Sequence, residues 1–218
     1  LHPVAHSFPT RRSSALVTCG EKHESDYLAS FAPVAEYPMP AYSQLKLFIP
    51  PLLKMLKYCY QENFTLIHSA TPGPVGLAAL AISKILQVPI VATYHTALPQ
   101  YVGELTDDEA LERFMWKFVV WYYNHMEIVY VPSAATGQEL IEKGVQPGKV
   151  RFYHRGIDID RFTPAKRNGF FKRKFDYDDK RLKLIYVGRV SKEKNLPLLA
   201  DIFKDVYSKR KDLTLVIV

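Results

Sequence analysis

The chain has 218 residues, 48% of them hydrophobic and 23% charged, an ordinary soluble composition with apolar mass enough for one large or two smaller cores. Lys and Arg number 29 against 22 Asp and Glu, so the net charge is +7, which suits a phosphate-bearing ligand or an anionic surface. No nucleic-acid-binding motif or basic-aromatic repeat accompanies that charge, so nucleic acid is not an expected partner.

Residues 1–15 carry Pro3, Pro9, Arg11 and Arg12 with no apolar period, and His6–Ser14 resembles a translated sequencing adapter. That stretch is read as a non-native arm, a disordered native arm being the alternative. Leu16–Cys19 then reads as a short buried strand. The Pro-rich stretch Phe31–Pro40 reads as an irregular loop, and a helical pattern runs from about Leu45 to Tyr60 with Pro50 and Pro51 near its first turn. Lys46, Lys54 and Lys57 interleave there with apolar residues, which fits a core-facing helix with snorkelling lysines better than a membrane-surface face.

Phe64–His68 and Val88–Thr93 are predicted strands, with the helix Val75–Leu86 between them. Thr106–Glu109 supplies caps and negative charge for a helix that continues to about Asn124, apolar nearly all round and so expected to be buried. Ile128–Val131 is a strand, Ser133 an N-cap, Gly144 a helix stop, and Val150–Tyr153 a further strand. Leu182–Val187, a helix from about Leu196 to Tyr207, and Leu213–Val218 make one βαβ unit. Cys19 and Cys59 each lie in an apolar segment, as buried thiols of a reducing compartment do. No spacing of metal ligands, bilayer-spanning run or leader-like h-region is visible, so no metal, no cofactor and a cytoplasmic location are expected.

Chemistry concentrates where strands run into turns. Gly188–Arg189–Val190–Ser191–Lys192–Glu193–Lys194–Asn195 joins a buried strand to a helix N-terminus, whose N–H groups and dipole favour an anion. Arg189 and Lys194 add a planar fork and a flexible point charge, a pair able to hold a diphosphate; a basic surface loop is the alternative. Thr93–Tyr94–His95–Thr96 lies at the carboxyl end of a strand, where open α/β sheets place ligands.

The Gly188–Asn195 stretch resembles the donor-phosphate motif of the retaining family 4 glycosyltransferases, which have the GT-B fold. His68–Gly76, Thr93–Thr96 and Arg155–Phe162 resemble three further landmarks of that family, in its order, and the likeness covers roughly Leu16 to Val218. The resemblance implies an α/β protein: an N-terminal, acceptor-side Rossmann-like domain over 16–158 whose first strand is missing, an interdomain crossing over 159–180, and the opening βαβ of a donor-binding domain over 181–218. It implies a hexose transferred with retention from a nucleotide-diphosphate sugar to a small-molecule or lipid acceptor, a phosphorylated polyol among the candidates, without a metal and with peripheral membrane contact as an option.

By the same resemblance Arg189 and Lys194 bind the donor diphosphate, and His95 is the candidate catalytic residue facing the transferring sugar. Tyr94, Thr96, Gly73 and Gly188 flank the site as weaker candidates, and the chain alone is expected to be inactive. Asp158–Ile159–Asp160 also spells the metal-binding D-x-D of the other glycosyltransferase fold, but Asp176–Tyr177–Asp178 matches equally, so the pattern is discounted. The alternatives are a non-catalytic remnant that binds nucleotides or phosphosugars, and a sugar-nucleotide epimerase of the same fold.

Overall fold

Short apolar strands separated by helices pair in parallel, because a crossover helix returns the chain to the same end of the sheet. A computed structural model describes residues 14–21, 25, 27–39, 42–154, 156–176, 181–191 and 194–218. The adapter-like arm up to Ser13, Arg155, Tyr177, Asp178, Lys192 and Glu193 lie outside the described residues. The chain divides into two compact units, one ending at His154 and the other beginning at Arg155.

In the first unit, β5 (Ile67–Ser69), β6 (Ile90–Thr93), β7 (Ile128–Val131) and β8 (Val150–Phe152) form a four-stranded sheet in that order. All three pairings are parallel, so the carboxyl ends line one edge. Side chains alternate between faces. Ile90, Ala92, Val129 and Val131 pack into a core with Leu80 of α2 (Pro74–Leu86), Trp116, Val119, Tyr122 and Tyr123 of α4 (Glu109–Asn124), and Leu140 of α5 (Ala134–Lys143). α4 is buried on one side only: Phe114 is 64% and Trp121 48% exposed, which corrects the expectation of all-round burial. Its aromatic residues outnumber the positions that one sheet can cover.

The Ser133 hydroxyl caps α5 by accepting from the Thr136 N–H at 3.1 Å, and Gly144 ends it at φ +115°, as the sequence predicts. Asp108 caps α4 likewise, accepting from the N–H groups of Ala110 and Leu111. Just before it the structure adds α3 (Leu98–Thr106), which the sequence reading passes over and which Asp107 terminates in the left-handed region.

Upstream, β1 (Leu16–Cys19) pairs in parallel with β2 (Leu28–Phe31) as a separate two-stranded sheet. The stretch expected to be irregular and then helical is instead a hairpin, β3 (Ala35–Met39) antiparallel to β4 (Tyr42–Ile49). Tyr42, Phe48 and Ile49 are residues that strands favour, and the register shifts at Pro38/Met39. Pro50 and Pro51 lie just before the helix, near its first turn as expected, and α1 spans Leu52–Gln61 with Pro51 at its N-cap.

Met55 and Cys59 of α1 join Ile82 of α2 in a second core cluster, against which Val17 of β1, Phe31 of β2 and Ile67 of β5 all pack. Both cysteines are free and buried. The outer side of α1 leaves Leu53 79% and Tyr60 73% exposed.

The second unit contains a short helix α6 (Phe170–Phe175) and the expected βαβ: β9 (Leu182–Tyr186), α7 (Leu196–Lys209) and β10 (Leu213–Ile217). β9 and β10 pair in parallel, Leu182 opposite Leu213. Among its described residues only Leu213 is buried. Among the described residues no helix is long and apolar enough to cross a membrane.

Candidate active site

Strand alternation fixes the chemistry at the end of β6. Thr93 turns to one face, where its Oγ1 shares a hydrogen bond of 2.7 Å with Nε2 of His68. Tyr94 turns to the other face; its N–H donates to the Tyr130 carbonyl at 2.8 Å, which carries the ladder one residue beyond the strand. The Tyr94 ring is 2% exposed and meets Tyr123 edge-on at 5.5 Å. Burial first, and the Glu139 charge second, hold its hydroxyl well above the usual phenol range. Tyr94 is therefore a core residue, as are all four residues of β6 before it. His95 and Thr96 are both exposed. The Thr96 carbonyl accepts from the Leu98 N–H at 2.8 Å as the chain enters α3.

His68 is the functional candidate that sequence reasoning missed, although it opens one of the quoted motifs. Its ring reaches solvent at its outer edge while Nε2 faces Thr93. It stands 6.3 Å from the Tyr130 ring, which in turn stands 6.2 Å from that of Tyr153. The ends of β5, β7 and β8 thus contribute a row of three rings beside Thr93. Burial, and then nearby His95, hold the His68 imidazole below its ordinary value of 6.5.

The turn into α2 separates two glycines that look alike in the sequence. A Cβ on Gly76 would lie 2.0 Å from the Thr71 carbonyl oxygen and 2.7 Å from Tyr122 Oη. Beneath it, Ser69 Oγ and Tyr122 Oη share a buried hydrogen bond of 2.6 Å, and burial pushes the Tyr122 phenol up to about 12. Gly76 is thus needed for close helix-sheet packing. Gly73, at the N-cap of α2, has only Thr71 Oγ1 at 3.7 Å from where its Cβ would be, so its surroundings are open.

In the second unit Arg189 and Lys194 stand, exposed, at the two ends of the loop between β9 and α7. The Gly188 N–H donates to the Val218 carbonyl, and the Tyr186 hydroxyl donates to the Arg189 carbonyl at 3.0 Å, which anchors the β9 end. A Cβ on Gly188 would come within 2.8 Å of Tyr186 Oη, so the missing side chain makes room for that anchor. At the α7 end the Lys194 N–H donates to the Ser191 carbonyl, and Asn195 occupies the left-handed region at φ +47° with no side-chain cap on the helix. Such a loop can present two cations and free helix N–H groups to an anion.

Asp158 is engaged in its own turn, accepting from the N–H groups of Asp160 and Arg161, which is a structural use of the D-x-D pattern. Among the described residues no group of three or more His, Cys, Asp or Glu side chains could hold a metal ion.

The description of Glycosyltransferase Family 4 matches residues 13–161. The chain is 31% identical over 168 residues to the sulfoquinovosyl transferase SQD2 of Arabidopsis thaliana, a match covering 76% of this chain and 33% of that protein. It is 29% identical over 149 residues to a GDP-mannose-dependent alpha-mannosyltransferase of Mycobacterium tuberculosis, covering 68% of this chain and 38% of that one. The chain thus spans about a third of the length of the curated relatives it matches. Among solved structures, Anabaena Alr3699/HepE in complex with UDP and glucose shares the fold with a TM-score of 0.63 at 17% identity, over 87% of this chain and 47% of that one. The parallel sheet, the order of the motifs and a family match over most of the first unit agree, and the chain belongs to Glycosyltransferase Family 4.

Proposed function

We propose that this sequence is part of an enzyme that transfers a hexose, with retention, from a nucleotide-diphosphate sugar to a lipid or phosphorylated polyol acceptor at the cytoplasmic side. Arg189 and Lys194 neutralise the leaving diphosphate, a role that cationic side chains fill without a metal. His95 contacts the transferring sugar. Thr96, Gly73 and Gly188 shape the surroundings, Gly188 by allowing Tyr186 to hold the Arg189 backbone.

The observation that carries this reading is the exposure of His95 at the carboxyl end of β6 while the residues before it, Thr93 and Tyr94, are tied into the sheet. A side chain so placed is held in position without being used for packing. The names of the relatives support a sugar-nucleotide donor, GDP-mannose in one case, and the solved neighbour holds UDP and glucose. The exposed Leu53, Lys54, Lys57 and Tyr60 of α1 support peripheral contact with a membrane that carries a lipid acceptor.

The test is product analysis on a full-length protein carrying this sequence, given UDP- and GDP-hexoses with diacylglycerol or an inositol phosphate. A glycoside with the anomeric configuration of the donor is expected, and an inverted product, or an isomerised sugar nucleotide as sole product, overturns the reading. The 218-residue chain alone is expected to form no glycoside, because its second unit buries only Leu213 among the described residues and offers the donor little fixed structure.

A further inference from the structure

The second unit holds a cavity that the proposed reaction leaves unused. It measures about 350 Å³, the size of a small-molecule site, and lies between the turn leading into α6 and one face of β9. Lys183 and Ile185, two residues apart on β9, look the same way by strand alternation and form one wall. Lys166, Arg167, Phe170 and Phe171 form the other. That turn is tied down locally. The Arg167 N–H donates to the Pro164 carbonyl at 3.0 Å, Gly169 takes the left-handed region at φ +65°, and the Arg173 guanidinium donates to the Asn168 carbonyl. The Phe170 and Phe171 rings meet edge-on at 5.5 Å, and Phe175 stacks against Phe171 at 6.2 Å.

Charge decides what such a cavity can hold. Three cations line it, and among the described residues no Asp or Glu does. Among the described residues neither Lys166 nor Arg167 has an ion-pair partner. Lys183 is half-buried and spends one of its three N–H donors on the Arg181 carbonyl at 3.0 Å. Like charges gathered around one space repel, and an anion set among them removes the repulsion. Arg supplies a planar fork and the lysines point charges, a set that grips phosphate, while the two phenyl rings and Ile185 offer apolar walls.

We propose that this cavity binds a small phosphate-bearing molecule, its phosphate among Lys166, Arg167 and Lys183 and a flat apolar part against Phe170, Phe171 and Ile185. It is a second anion site, separate from the one assigned to the donor. Lys183 lies near the amino end of β9 and Arg189 beyond its carboxyl end, with about 10 Å of strand between Lys183 and that end. One diphosphate does not bridge the two, so the cavity stands independently of the donor reading of Arg189 and Lys194. A soluble phosphomonoester and a phospholipid headgroup share this chemistry, and the test separates them.

The test uses the 218-residue chain, isotope-labelled at its glycines only and followed by amide NMR, and measures no transfer. Gly169 reports on the cavity and Gly188 on the loop that carries Arg189. Phenyl phosphate is expected to shift the Gly169 signal saturably, and at lower concentration than inorganic phosphate, which lacks the ring. The double variant Lys166→Gln, Arg167→Gln should weaken that response about tenfold or more, the loss of charge-assisted contacts. Arg189→Ala should leave it in place. Both substituted lining residues are exposed, so the double variant is expected to fold, and its other glycine signals check that it does. In a parallel arm the chain is sedimented with phosphatidylcholine vesicles, with and without phosphatidic acid. Sedimentation that needs phosphatidic acid and is lost in the double variant, with no response to phenyl phosphate, assigns a headgroup; a phenyl phosphate response assigns a soluble ligand. If neither phosphate source acts on the chain, or the double variant responds as the wild type does, the proposal is overturned.

Discussion

His68 Nε2 and Thr93 Oγ1 lie 2.7 Å apart, joining the ends of two neighbouring strands through an imidazole whose pKa is held below its ordinary value. Burial and His95 hold the folded value below 6.5, so around and below that pH the unfolded chain binds the extra proton more readily. This contribution to stability is whole above about pH 6.5 and is lost as the pH falls through the folded value. Urea midpoints measured from about pH 7.5 down to about pH 5 should therefore fall more steeply in the wild-type chain than in His68→Gln.

Gly76→Ala should destabilise the first unit by about 1–3 kcal/mol or more, because the added methyl meets the Thr71 backbone, which cannot rotate away. Gly73→Ala, at φ −73° with open space around it, should be neutral or stabilise by about 0.4–1 kcal/mol. Urea denaturation of the two variants separates a glycine that packing demands from one that it does not.

Arg189→Ala and Lys194→Ala should each weaken binding of a nucleoside diphosphate by about ten- to a hundred-fold, the equivalent of losing a charge-assisted contact of roughly 1.5–3 kcal/mol. Calorimetry at two salt concentrations checks this. The wild-type affinity should itself fall with salt, because both side chains are exposed in the free chain. Unchanged affinity in both variants removes the diphosphate assignment.

His95→Ala should leave stability within about 0.5 kcal/mol, as expected of an exposed position. In a full-length protein it should lower turnover far more than donor affinity. Collapse of donor binding with turnover surviving at saturation would make His95 a binding residue only.

The sequence made the sheet legible because its strands are short apolar runs bounded by turn residues, and Ser133, Gly144 and Asp108 appear in the structure with the cap chemistry expected of them. It misled where two rules competed. Between Phe31 and Ile49 the prolines suggested loop and the apolar pattern from Leu45 a helix, whereas the two segments pair as a hairpin with a register shift at Pro38/Met39. α3 was passed over, and its Pro99 sits in the first turn, where no N–H is missed. At the site, Thr93–Thr96 was found as a motif, but its division into inward and outward side chains is set by register, which no local pattern reveals. His68 was passed over because its partner, Thr93, lies 25 residues away.

The alternation at the end of β6 also governs how this protein can diverge. Replacing His95 or Thr96 alters an exposed surface and leaves the core alone, so that surface can explore new chemistry at little cost to folding. Inserting or deleting a single residue in Ile90–Thr93 is another matter. It would turn the Tyr94 ring to the face on which Thr93 meets His68 and bring a polar neighbour against Tyr123, so that the two faces trade places in one step. Variation by substitution stays open to such a segment, while variation in length is closed.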